Sequence, residues 1–215
     1  MRHFIRLFMV ILFAMGCGDS QKEEPTGTPF YLGTYTGGES RGIYRYFLSE
    51  DGSLREGGLV AEAENPSFLA LSPDGAYLLA VNEVSDANQT GFVSSFKAEK
   101  DTLLFLDRKP TGGAHPCHVA IHPEGYVLVA NYTGGNMGLL RILENGRLTE
   151  LLDVQTHQGS GPHPRQDAPH AHSGWFTEAG GIISVDLGTN QLWFSEIDPQ
   201  KDTLRPQDPP TFSMA

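Results

Sequence analysis

"NPSFLALSPDGAYLLAVNEV", residues 65–84, aligns with "HPCHVAIHPEGYVLVANYTGG", residues 115–135, with one residue of slippage after the Pro-acid-Gly turn. A third copy, "HAHSGWFTEAGGIISVDLG" from His170, keeps the turn glycine at Gly180 and loses the proline. Upstream, "FYLGTYTGG" at 30–38 matches "VLVANYTGG" at 127–135 as the end of an earlier copy. With Thr34, Asn82, Asn131 and Asp186 as equivalent positions, the intervals are 48, 49 and 55 residues. Self-similarity at that period marks stacked supersecondary units, each unable to bury its apolar face alone.

Every unit reads as short strands. An apolar run, a Pro-Asp-Gly type turn and a second run such as "YLLAV" or "VLVAN" are followed by a glycine-containing loop. A further strand comes next in each, as in "GIYRYFL", "GFVSSF" and "MGLLRIL", before another polar turn. Outside the N-terminal segment no window longer than about ten residues carries a helical stripe. The expected fold is therefore all-β, a β-propeller of four-stranded antiparallel blades, preferred over a β-sandwich because whole phrases recur rather than alternation alone. In a propeller, loops at one end converge on one mouth, so residues fifty apart in sequence can share a pocket.

The N-terminus is of another character. "MRHFIRLFMVILFAMGC" has Arg2 and Arg6, an apolar run and small residues before Cys17, the form of a bacterial lipoprotein signal over residues 1–16. Cys17 is the expected lipidation site, residues 17–28 a flexible tether, and residues 29–215 the folded domain, exported to the cell envelope or periplasm. Removing the signal moves the formal charge from -11 to about -13, which argues against nucleic acid as a partner. Only Cys117 then remains as a free thiol, so stability rests on a packed core rather than a disulfide.

"GSGPHPRQDAPHAHS", residues 159–173, gathers His163, Arg165, Gln166, Asp167, His170 and His172 among glycines and prolines that exclude regular structure. His118 stands where the earlier copy has Phe68, a swap of aromatic for imidazole on a like scaffold. Glu83 directly follows "YLLAVN", where Tyr132 and Leu187 stand in later copies, and a carboxylate at a strand exit can accept a proton from water. Arg165 offers a planar fork for carboxylate, phosphate or a developing oxyanion. His115 and His122, by contrast, read as ties between neighbouring blades. The spacing of His163, His170 and His172 matches neither a helical His pair nor a paired-cysteine site, and neither metal nor cofactor is expected.

"YLGTYTGG", "NPSFLALSPDGAYLLAVNE", "HPCHVAIHPEGYVLVANYTGGNMGLL" and above all "GSGPHPRQDAPHAHS" resemble the seven-bladed β-propeller lactonase family, which includes 6-phosphogluconolactonases. The resemblance spans about residues 29 to 213 and implies hydrolysis of 6-phosphogluconolactone or a related aldonolactone by water attack on the ring carbonyl. It implies that His118 and Glu83 activate water, that Arg165 with Gln166 binds the substrate or steadies the oxyanion, and that His170 and His172 line the mouth. Seven blades of about 45 residues need more than 300 residues. About four blades are expected here, with a C-terminal truncation and an open edge inviting self-association. The competing reading is a non-catalytic, envelope-tethered propeller that binds a protein or glycan, or an inactive fragment.

Overall fold

The computed structural model describes residues 26–214. The signal segment, Cys17 and most of the tether lie outside the described residues. Fifteen strands form four antiparallel sheets, with no helix among the described residues. The first sheet is β1 (Thr28–Leu32), β2 (Gly42–Leu48) and β3 (Leu54–Glu62). The second is β4 (Leu69–Leu71), β5 (Tyr77–Asn82), β6 (Phe92–Ala98) and β7 (Leu103–Pro110). The third is β8 (Pro116–Ile121), β9 (Tyr126–Asn131), β10 (Asn136–Arg141) and β11 (Asp153–Thr156). The fourth is β12 (Ala171–Phe176), β13 (Gly181–Asp186), β14 (Gln191–Asp198) and β15 (Thr203–Ser213). These are the blades expected from the repeat, with one refinement. β1 aligns with β5 and β9, the second strands of later sheets, so among the described residues the first sheet has three strands with β1 at its edge. A cleft of about 490 Å³ lined by Phe30, Tyr31, Leu69 and Leu71 lies beside it.

The apolar runs are continuous because the middle blades are covered on both faces, and period-two alternation sorts each strand between its neighbours. On β5, Leu78 and Ala80 join Ile43, Val60, Phe96 and Leu103 against the first sheet. Leu79 and Val81 turn the other way, onto Val119, Val127 and Val129 of the third sheet. On β9 the same division repeats: Leu128 and Ala130 pack with Met137, Ala171 and Ile182 against the fourth sheet. Inner strand β8 packs on β4 and β5, and β12 on β8 and β9, which winds the sheets about a common axis.

The turn signature holds in geometry even where its proline is gone. Gly75, Gly125 and Gly180 take φ of 71°, 89° and 84°, and each donates its N–H to the residue three before it, Ser72, His122 and Thr177. Left-handed φ at that turn position is what glycine supplies at little cost. The chain's return to each inner strand is equally regular. The N–H groups of Glu83, Tyr132 and Leu187 donate to the carbonyls of Asn65, His115 and His170 at 2.9–3.0 Å. His115 also ties neighbouring blades, its N–H donating to the Val84 carbonyl at 2.9 Å, and its Nδ1 sits 2.9 Å from Thr133 Oγ1.

Candidate active site

The two strand ends repeated in this way build a single mouth. Glu83 and Tyr132 directly follow β5 and β9, and Tyr35 is their aligned equivalent, three residues past the end of β1; the aligned positions on each inner-strand approach are Ser67, Cys117 and His172. These six, with Arg165 from the long loop, line one cavity of about 320 Å³. Four blades contribute to it, from positions more than 130 residues apart in sequence.

A β-bulge decides which side chains arrive there. In β8 the register jumps between Pro116, opposite Asn131, and His118, opposite Ala130, so Cys117 is left unpaired and faces the cavity. In β12 the same jump between Ala171 and Ser173 pushes out His172. His118, expected as a water activator at the mouth, is therefore turned beneath it. It is only 3% exposed and lies between the rings of Phe68 and Trp175, at centroid distances of 4.3 and 4.7 Å. The extra residue of the bulge moves the imidazole from the mouth to the interface between blades.

Burial, with a smaller contribution from nearby His172, lowers the His118 pKa to about 4. The unfolded chain would titrate this group near 6.5, so it binds more protons than the folded chain between those values. The stabilisation is complete above pH 6.5 and is lost as pH falls towards 4. On the order of 1–3 kcal/mol is at stake. His118→Phe, a residue already accepted at the equivalent Phe68, should shrink the drop in urea midpoint between pH 7 and pH 4.5. An equal drop in both proteins would rule the group out as the source.

Glu83 and Arg165 carry the opposing charges of the mouth. One Glu83 oxygen, Oε2, accepts from the Tyr35 hydroxyl at 2.8 Å and from the Ser67 hydroxyl at 2.5 Å. Tyr35 belongs to the preceding repeat and Ser67 to Glu83's own, and together they hold the carboxylate in place. Tyr35 is 63% exposed, and its phenol titrates above its ordinary value because it donates to Glu83. Among the described residues the Arg165 guanidinium has no hydrogen-bond or ion-pair partner. Its backbone N–H is held instead by His163 Nδ1, which leaves the fork free at the cavity. Burial first, and then the Glu83 charge, pushes the Cys117 thiol up to about 12, so at neutral pH it is a neutral lining group.

The remaining expected residues divide. His172 lines the cavity, and its ring meets Tyr132 edge-on at 5.8 Å. His170 stands one layer back, stacked on Tyr132 at 4.5 Å and 8°, with Nδ1 3.1 Å from the Tyr132 carbonyl. It stiffens a wall of the mouth. Gln166 is not at the cavity: its amide nitrogen donates to the Leu187 carbonyl and its oxygen accepts from the His163 N–H. A loop without regular structure must satisfy its own backbone, and Gln166 is spent on that need. Tyr35, Ser67, Cys117 and Tyr132 were not among the expected residues. Their signal was the repeat itself, since they are the aligned equivalents of Glu83 and His172.

Comparison with known proteins follows the same outline. A family model described as "Lactonase, 7-bladed beta-propeller" matches residues 29–215. A 6-phosphogluconolactonase of Bacillus subtilis (strain 168) is 35% identical over 168 residues, covering 76% of this chain and 47% of that protein. A 6-phosphogluconolactonase of Formosa agariphila is 33% identical over 131 residues, covering 59% of this chain and 37% of that one. Among solved structures, the periplasmic gluconolactonase PpgL of Pseudomonas aeruginosa superposes with a TM-score of 0.79 at 29% identity, over 86% of this chain and 55% of that chain. The chain spans about half the length of the curated relatives it matches, or less.

Proposed function

The chain belongs to the seven-bladed β-propeller lactonase family, and from that membership we propose that its mouth hydrolyses a sugar-derived lactone to the open-chain acid. The substrate is 6-phosphogluconolactone or a related aldonolactone. The observation that carries this reading is the placement of Glu83, fixed by two hydroxyl donors, across one cavity from an unpartnered Arg165.

The residues divide the work as follows. Glu83 takes a proton from water as the water oxygen bonds to the ring carbonyl carbon. Negative charge gathers on the carbonyl oxygen, where the Arg165 fork meets it. The bond to the ring oxygen then breaks, and the proton held by Glu83 passes to that oxygen, which leaves as a hydroxyl. Tyr132, braced by His170, and the exposed Tyr35 offer ring faces to the sugar. His172 adds a polar edge. His118 does not touch the substrate; it keeps the seam between blades in place. Export through the N-terminal signal, with lipid attachment at Cys17, is part of the same proposal and would place the reaction in the cell envelope.

The test is acid release, followed by pH-stat, from a panel of phosphorylated and unphosphorylated sugar lactones. At least one should be opened about a hundredfold or more faster than its spontaneous rate at micromolar protein. No acceleration of any member by folded protein would overturn the reading. The alternative of a non-catalytic binding propeller predicts that outcome.

A further inference from the structure

One buried carboxylate holds both ends of the loop that presents Arg165. Asp186, at the end of β13, occupies the repeat position of Thr34, Asn82 and Asn131. The two asparagines donate there: Asn82 Nδ2 to the Glu64 carbonyl and Asn131 Nδ2 to the Thr111 carbonyl. Asp186 can only accept. Its Oδ2 lies 2.6 Å from His157 Nδ1, and its Oδ1 accepts from the backbone N–H of His170 at 2.9 Å and of Thr189 at 2.8 Å. His157 opens the loop and His170 closes it. The side chains of His157 and Asp186 are wholly buried, and the His157 ring lies flat on Trp193 at 4.2 Å and 6°.

The loop rests on the same turn along its length. Gln166 reaches the Leu187 carbonyl, and Gly188 passes so close to Ala168 that a Cβ there would fall 1.8 Å from its carbonyl oxygen. Burial by itself would raise the Asp186 pKa, but the bonds from His157, His170 and Thr189 outweigh it and keep the carboxyl below its usual range. It thus stays an acceptor at neutral pH.

We propose that Asp186 and His157 are positioning residues for Arg165: their pair fixes the ends of residues 158–169 so that the guanidinium stands across the cavity from Glu83. The role assigned to Arg165 rests on the lactonase reading; the ordering of the loop does not. A loop pinned at both ends loses less conformational freedom when its cation meets a substrate, and small displacements of a catalytic group cost large factors in rate.

The test is His157→Phe, which keeps a flat ring on Trp193 but withdraws the group facing Asp186 Oδ2. Hydrogen exchange is measured on the loop amides of Gly161 and Gln166, with those of Val127 to Ala130 in β9 as an internal reference. The loop amides should exchange about tenfold or more faster while the β9 amides keep their protection. In a lactone assay, kcat/KM should fall about tenfold in His157→Phe, and should not fall further when His157→Phe is added to Arg165→Ala. Asp186→Asn, which retains an oxygen for the two backbone donors, should loosen the loop less than His157→Phe does. Unchanged loop exchange in His157→Phe would overturn the clamp, whatever the activity. Faster loop exchange together with a kcat/KM loss that multiplies with Arg165→Ala would make the pair merely structural. Absence of lactone turnover in the unaltered protein would remove the lactonase reading and leave the clamp to be judged on exchange alone.

Discussion

Glu83→Gln is expected to lower kcat for lactone opening by about 10²–10⁴, the range of a lost general base. The amide has the shape of the carboxylate, and its oxygen can still accept from Tyr35 and Ser67, so the mouth should keep its form. What it cannot do is hold the proton that water surrenders. KM should move little, because the substrate's contacts with Arg165 and the tyrosines persist, and a loss confined to kcat is what an interaction made only in the transition state leaves behind. Urea midpoints of the two proteins should agree closely. A variant that keeps more than half of the parent rate would show that Glu83 takes no proton.

Arg165→Ala is the second large effect, and it should appear differently. Among the described residues the guanidinium has no partner to orphan, and Arg165 is exposed on its loop. Its removal should therefore leave stability within about 0.5 kcal/mol, as for a surface substitution. Loss of an oxyanion donor in a preorganised site costs about 10²–10³ in rate. Arg165→Lys should recover only part of this, since an ammonium supplies a point charge without the planar fork. Steady-state kinetics beside a thermal melt separate the two contributions. A melt that collapses along with the rate would mean that Arg165 supports the loop rather than the reaction.

The architecture was legible in the sequence because the repeat preserves whole strand-turn-strand phrases, and the turn glycines keep their left-handed φ even after the third copy drops its proline. The first sheet departs from the expected four strands: "FYLG" aligns with a second strand, and among the described residues three strands pair there. The mouth was legible only in part. Glu83, Arg165, His172 and, one layer behind, His170 stand where aligned strand ends and a loop rich in titratable groups suggested. His118 does not, because a bulge adds one residue that strand alternation does not count, and the neighbouring Cys117 takes the exposed place. Gln166 stands away from that cavity for a different reason. A side chain in an irregular loop is claimed first by nearby unsatisfied backbone groups, and composition says nothing of which ones. The buried pairing of His157 with Asp186 spans 29 residues and replaces amide donors by an acceptor, a change visible in the aligned column only once its partner is known.

The claim on which the rest depends is that the blades bring Glu83 and Arg165 to one reacting centre. The most direct measurement is the double-mutant cycle of Glu83→Gln and Arg165→Ala on kcat/KM for a sugar lactone that the unaltered chain opens. Arg165 meets charge that base-assisted attack creates, so adding Arg165→Ala to Glu83→Gln should cost clearly less than Arg165→Ala costs alone, a coupling of about 0.5–3 kcal/mol. Losses that multiply in full would mean that the two groups work apart, contradicting a shared site at the mouth.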